Sequence, residues 1–103
     1  MDIGIVQLTE GNINNNHIYL SGVWDLFPER VIGGPSKAEP AAATLELNIG
    51  FGEPIVTDIA GDKKIFRQRR WVSGFFERNN LKAGDKVVIK KTADLQYHIY
   101  PER

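Results

Sequence analysis

Five bases fall within eight positions of the chain: Lys63, Lys64, Arg67, Arg69 and Arg70. Ile65 and Phe66 are interleaved with them, Gln68 sits among the arginines, Asp62 precedes and Trp71 follows. These side chains suit a polyanion. A lysine ammonium is a compact point charge, sufficient for a phosphate. The planar Arg fork and the Gln amide match guanine and adenine edges through paired hydrogen bonds. On an extended strand Arg67 and Arg69 share a face with Ile65 and Trp71, while Lys64, Phe66, Gln68 and Arg70 share the other. Neither face is apolar throughout, so the segment cannot be an ordinary core strand along its whole length. The plainer alternative is a solvated edge hairpin whose charges block edge-to-edge aggregation.

Charge is divided along the chain. The formal net charge is +0, yet residues 1–62 hold two bases against nine acids, net −7, and residues 63–103 hold eleven bases against four acids, net +7. Such asymmetry points to an anionic partner, unless folding interleaves the halves into a mixed surface.

Catalytic constellations are sparse. A metal-dependent nuclease needs several carboxylates around one ion, and usually a lysine. Asp58, Asp62 and Lys64 are the nearest approach, with no third acid clearly beside them. The chain has no cysteine, which excludes a disulfide scaffold, a thiol nucleophile and a Cys-based zinc site. His17 and His98 lack metal-ligand spacing and read as structural residues beside aromatics. There is no Gly-x-Ser-x-Gly elbow and no glycine-rich loop ending in Gly-Lys-Ser/Thr. Gly50-Phe51-Gly52 reads as a turn. The expectation is a chain with no catalysis of its own, no cofactor and no metal.

The elements that must position the basic cluster follow from pattern. At 103 residues, 42% hydrophobic and 25% charged, the chain suits one small globular domain. Residues 3–8 read as a strand or a mobile tail, and the Asn-rich stretch 10–16 as turn. His17-Ile18-Tyr19-Leu20 reads as a strand, and 23–27 as one helical turn stopped by Pro28. Gly33-Gly34-Pro35-Ser36 opens a loop that runs to position 43. Residues 44–49 alternate with period two, which marks a half-buried strand. Residues 53–59 and 64–70 read as paired strands across a turn at 60–63. Trp71, Val72, Phe75 and Phe76 share one helical face, with a stop near Asn79-Asn80. Gly84-Asp85 is a geometric turn ahead of strand 86–90, and 96–100 is the last strand.

The run from Trp71 through Leu81-Lys82-Ala83-Gly84-Asp85 to Val87-Val88-Ile89 resembles the helix–Leu-x-x-Gly-Asp–strand signature of the B-three DNA-binding domain. The upstream pieces are closest to the restriction-endonuclease branch of that family. They are His17-Ile18-Tyr19-Leu20, Phe27-Pro28, Gly33-Gly34, Thr57-Asp58-Ile59, Asp62-Lys63 and Phe66-Arg67-x-Arg69. The resemblance covers about residues 17–100. It implies a mainly β fold, a seven-stranded open pseudobarrel with two short helices, gripping duplex DNA in the major groove with two loop-bearing arms. The N-terminal arm would lie around residues 21–27, with Ser21, Trp24 and Asp25, and at Ser36-Lys37. The C-terminal arm would be the 57–70 hairpin, with Thr57, Asp58, Asp62, Lys63, Lys64, Arg67, Gln68, Arg69 and Arg70. The N-terminal arm lacks the basic residues usual in the plant members. Asp25 would accept from a cytosine amino group or cap the helical turn.

The reading is sequence-specific duplex DNA binding, as the target-recognition domain or subunit of a restriction endonuclease. Lys63, Lys64 and Arg70 would contact phosphates, and Arg67, Arg69 and Gln68 would read bases. Residues 1–16 form an N-terminal strand or flexible lead-in, and 17–103 the pseudobarrel domain. Expected partners are double-stranded DNA and a nuclease domain or subunit. The alternative is a protein-interaction β-barrel using Trp24, Phe27 and Trp71 as an aromatic patch. No apolar stretch reaches a membrane span, Met1-Asp2-Ile3-Gly4 shows no leader-like core, and a cytoplasmic setting is expected.

Overall fold

Alternating hydrophobicity and two helical faces assemble into a strand-rich fold of eight strands in two sheets, with few helices. The structure is a computed structural model and describes residues 2–103. The larger sheet has the order β1-β7-β8-β3-β4, with β1 at Ile3–Gln7, β3 at Leu45–Asn48, β4 at Ile55–Thr57, β7 at Lys86–Ala93 and β8 at Gln96–Pro101. The smaller sheet has the order β2-β5-β6, from Ile32–Gly33, Ile59–Ala60 and Ile65–Phe66. β3 runs parallel to β8 and β2 parallel to β5; the remaining pairings are antiparallel.

Two short α-helices, α1 at Glu10–Asn15 and α2 at Val72–Arg78, and two 3₁₀ segments, Ser21–Leu26 and Glu29–Val31, connect the strands. α2 buries Val72, Phe75 and Phe76, the face its spacing predicts. Together with Trp71, Phe66, Tyr97, Leu47 and Ile89 they form part of one continuous core. The Tyr97 hydroxyl donates to the Leu26 carbonyl at 2.6 Å, tying β8 to the Ser21–Leu26 segment inside that core. Gly84 sits at φ +96°, where a Cβ is disfavoured, and Asp85 Oδ2 accepts from the Lys82 amide at 2.8 Å. Both act as turn geometry requires.

Several expected elements differ. The stretch 10–16 is helical, because Thr9 caps it: Thr9 Oγ1 accepts from the Asn12 amide at 3.1 Å, and Asn12 Oδ1 accepts from the Thr9 amide at 2.9 Å. This reciprocal pair satisfies two donors that a bare helix start leaves open. Residues 17–20 join neither sheet; Ile18 and Leu20 are buried, and the Leu20 amide donates to the Lys64 carbonyl. Residues 3–7 are a strand that pairs with β7 along its length, from Ile3↔Lys90 to Gln7↔Lys86. Among the described residues the strands number eight rather than seven. The expected strand 53–59 is cut at Asp58, so that β4 belongs to one sheet and β5 to the other. The expected aromatic patch is absent, since Phe27 and Trp71 are core residues.

Candidate nucleic-acid interface

The basic cluster starts in a hairpin and then leaves it. β5 and β6 pair over two residues each, Ile59↔Phe66 and Ala60↔Ile65, around a turn at 61–64. Lys64 closes the turn in the left-handed region at φ +56°, its amide donating to the Ala60 carbonyl at 2.8 Å. A non-glycine residue there is uncommon. Two contacts hold it: the Leu20 amide donates to the Lys64 carbonyl at 2.8 Å, and Lys64 Nζ lies 5.1 Å from the centre of the half-buried Trp24 ring. The second contact is a cation–π arrangement. The turn that carries Asp62, Lys63 and Lys64 is thereby docked on the 3₁₀ segment that carries Ser21, Trp24 and Asp25. All of these except Trp24 are exposed.

Beyond Phe66 the strand ends. The side-chain hydroxyl of the buried Thr57 accepts from the Gln68 amide at 2.9 Å, Gln68 Oε1 accepts from the Arg70 amide at 2.9 Å, and Trp71 Nε1 donates to the Gln68 carbonyl at 2.7 Å. These side-chain bonds replace a sheet ladder, and the chain bends into α2. Strand alternation therefore does not govern Arg67, Arg69 and Arg70.

Arg67 faces inward. Its Nε donates to Asp58 Oδ1 at 2.7 Å, Nη1 to the Ser36 carbonyl at 3.1 Å and Nη2 to the Gly34 carbonyl at 2.9 Å. Asp58 is buried, and its Oδ2 also accepts from the Ala41 amide at 2.8 Å. Burial alone would raise the Asp58 carboxyl; the Arg67 hydrogen bond, the Ala41 amide and the Arg67 charge outweigh it and hold the group below the usual carboxylate range. This corrects three expected contacts. Arg67 has three of its five N–H donors, one on each nitrogen, committed to the protein, Asp58 is held in an ion pair, and the Thr57 hydroxyl is spent on Gln68 and on the Asp58 carbonyl. Asp58 is likewise withdrawn from any pairing with Asp62 around a metal. Among the described residues no group of three or more His, Asp or Glu is placed to hold an ion.

Arg69, Arg70 and Gln68 remain exposed. Arg69 Nη1 lies 3.4 Å from the Asn15 carbonyl, a long contact at the end of α1. They line a groove of about 700 Å³ together with Lys37, Pro40 and Ala41 of the 34–41 loop. The exposed Val56 also lines it. The expected residues thus fall into two groups: Ser21, Trp24, Asp25, Asp62, Lys63 and Lys64 around the turn, and Lys37, Thr57, Asp58, Arg67, Gln68, Arg69 and Arg70 around the groove. The loop wall is set by Gly33 and Gly34: a Cβ on Gly33 would meet the Ala41 amide nitrogen at 2.7 Å, and one on Gly34 would meet Glu39 at 2.7 Å. Gly34 opens the loop as its type suggests, whereas Gly33 ends β2; the packing of Gly33 against Arg67 was not legible.

No protein-family model matches this chain, and comparison with curated proteins and with solved structures likewise gave no match. Among the described residues no helix is long and apolar enough to cross a membrane.

Proposed function

We propose that this chain binds duplex DNA sequence-specifically through the major groove, as the target-recognition domain or subunit of a restriction endonuclease. The observation that carries the reading is the cationic groove, lined by Lys37, Arg69 and Arg70. The turn with Lys63 and Lys64 adds a second basic lobe docked on the Trp24 segment. The resemblance to the B-three domain supplies the rest of the proposal: an open pseudobarrel built from the two sheets, with these two lobes as its arms.

Phosphate contacts from Lys37, Lys63, Lys64 and Arg70 supply most of the affinity. Arg69 reads base edges, a good bidentate pair discriminating by about 1–3 kcal/mol, while Gln68, whose Oε1 is held by the Arg70 amide, offers its Nε2 donor. Cleavage belongs to another domain or subunit, and the chain works in the cytoplasm. Selection from a random duplex pool at low salt, followed by mobility-shift titration, tests this. Enrichment of a defined sequence is expected, with an affinity that falls linearly on a log–log salt plot, by a slope of about −0.9 per phosphate contact. A pool that emerges unenriched, or a salt-insensitive affinity, sinks it. Salt-insensitive binding to a protein would favour the interaction-module alternative, which the exposed Ile3 and Ile5 on edge strand β1 support.

A further inference from the structure

The loop 34–41 and the hairpin around Asp58 are distant in sequence but share one half-buried polar junction. Three of the five N–H donors of Arg67 are spent there, on Asp58, Ser36 and Gly34. Asp58 returns a bond to the same loop at Ala41. The Arg67 side chain is 19% exposed, so this is a largely desolvated pair rather than a solvated surface contact. Two loop carbonyls and one loop amide, spanning residues 34 to 41, are therefore held by one ion pair. Lys37 lies between those anchor points.

Deepening the nucleic-acid reading, on which it rests, we infer that the Arg67–Asp58 pair is a latch that sets the width of the cationic groove. Arg67 is a positioning residue: it holds the loop carrying Lys37 in the groove with Arg69 and Arg70, and itself touches no nucleic acid. The ligand chemistry this groove takes is a phosphodiester strand, met by the cations of Lys37, Arg69 and Arg70 along its lining. A loop free to wander would have to be ordered on binding, at a cost in backbone entropy for each residue fixed. Prior ordering by the latch removes that cost from the binding step.

The test uses the whole chain and the duplex selected above. Arg67→Lys keeps the charge but cannot make three forked bonds. Hydrogen exchange of the 34–41 amides is expected to rise at least tenfold in this variant, and duplex affinity to fall about tenfold, as losing one charged hydrogen bond implies. Arg67→Ala and Lys37→Ala should be non-additive, the double variant binding no worse than Arg67→Ala alone. Near-complete rescue of affinity by Arg67→Lys, or multiplicative losses in the double variant, would show Arg67 to be a direct phosphate contact and overturn the proposal. So would unchanged loop exchange in Arg67→Lys, a result that stands whether or not Arg67→Ala folds. A wild-type chain that binds no duplex defeats the nucleic-acid reading and the positioning role together; a wild-type chain that binds, with the loop unmoved in Arg67→Lys, defeats the latch alone.

Discussion

Arg67 and Arg70 carry the same group three positions apart and meet opposite fates. Arg67 is engaged by three protein acceptors, a buried carboxylate and two loop carbonyls. Arg70 is exposed, with only its backbone amide engaged. A guanidinium that gives up most of its water is stable only when protein acceptors replace it, as three do for Arg67; one that keeps its water is free to exchange it for phosphate. Replacing Arg70 with Ala should therefore reduce the salt slope of duplex binding by about 1 and weaken binding almost equally across sequences. Salt titrations of the wild-type and variant chains against two unrelated duplexes check both statements. Gly33→Ala addresses the same junction from the other side. Its added Cβ would press on the Ala41 nitrogen, the Glu39 carbonyl and Arg67 Nη2, at 2.7–2.8 Å. Two of these are backbone atoms with little room to yield, so denaturant titration should report a loss of about 1–3 kcal/mol. The types of these residues were legible in the sequence. Which arginine would face inward was not, because that depends on a loop more than thirty positions upstream.

Local capping and side-chain-to-backbone bonds decided the elements that hydrophobic pattern left open. The alternation at 44–49 and the spacing of Phe75 and Phe76 each found the expected structure, since burial on one face is what period measures. The stretch 10–16 was opaque because its helix rests on polar reciprocity. Thr9 and Asn12 cap one another, and Asn16 ends the helix at φ +52°. Asn in place of the usual Glu or Gln three residues past the cap hid the motif. Thr9→Ala should remove one cap bond and expose one amide, lowering stability by about 1 kcal/mol. Thermal unfolding checks that cost, and exchange of the Asn12 amide should rise first. The strand expected at 64–70 was misjudged for a related reason. Thr57 and Gln68 offer side-chain acceptors where a ladder would need carbonyls, so β6 stops after Phe66.

Taken as a body, the molecule depends on buried polar groups at two junctions, and they fail at opposite ends of the pH range. Asp58 joins the loop to the smaller sheet. Its folded carboxyl titrates below the usual range, so the fold binds that proton less readily than the unfolded chain does. Its contribution is complete above the unfolded value of 3.8 and is lost as pH falls through the lower folded value. Tyr97 joins β8 of the larger sheet to the Ser21–Leu26 segment. Burial, reinforced by the Asp94 charge, pushes its hydroxyl from 10.0 up to about 12. Here the neutral form is the one the fold favours, and the contribution is complete below 10.0 and lost as pH rises through about 12. Stability measured by urea titration should hold a plateau and fall on both sides for these separate reasons. Asp58→Asn should lower the plateau and flatten part of the acid limb while sparing the alkaline one. Tyr97→Phe should do the reverse, with a plateau loss of about 1–2 kcal/mol for the Leu26 bond. If either variant flattened both limbs alike, the two junctions would be one cooperative network. If neither changed its own limb, general charge repulsion rather than these buried groups would govern the pH response, and the assignment of the polar ties that hold loop and sheets together would have to be redrawn.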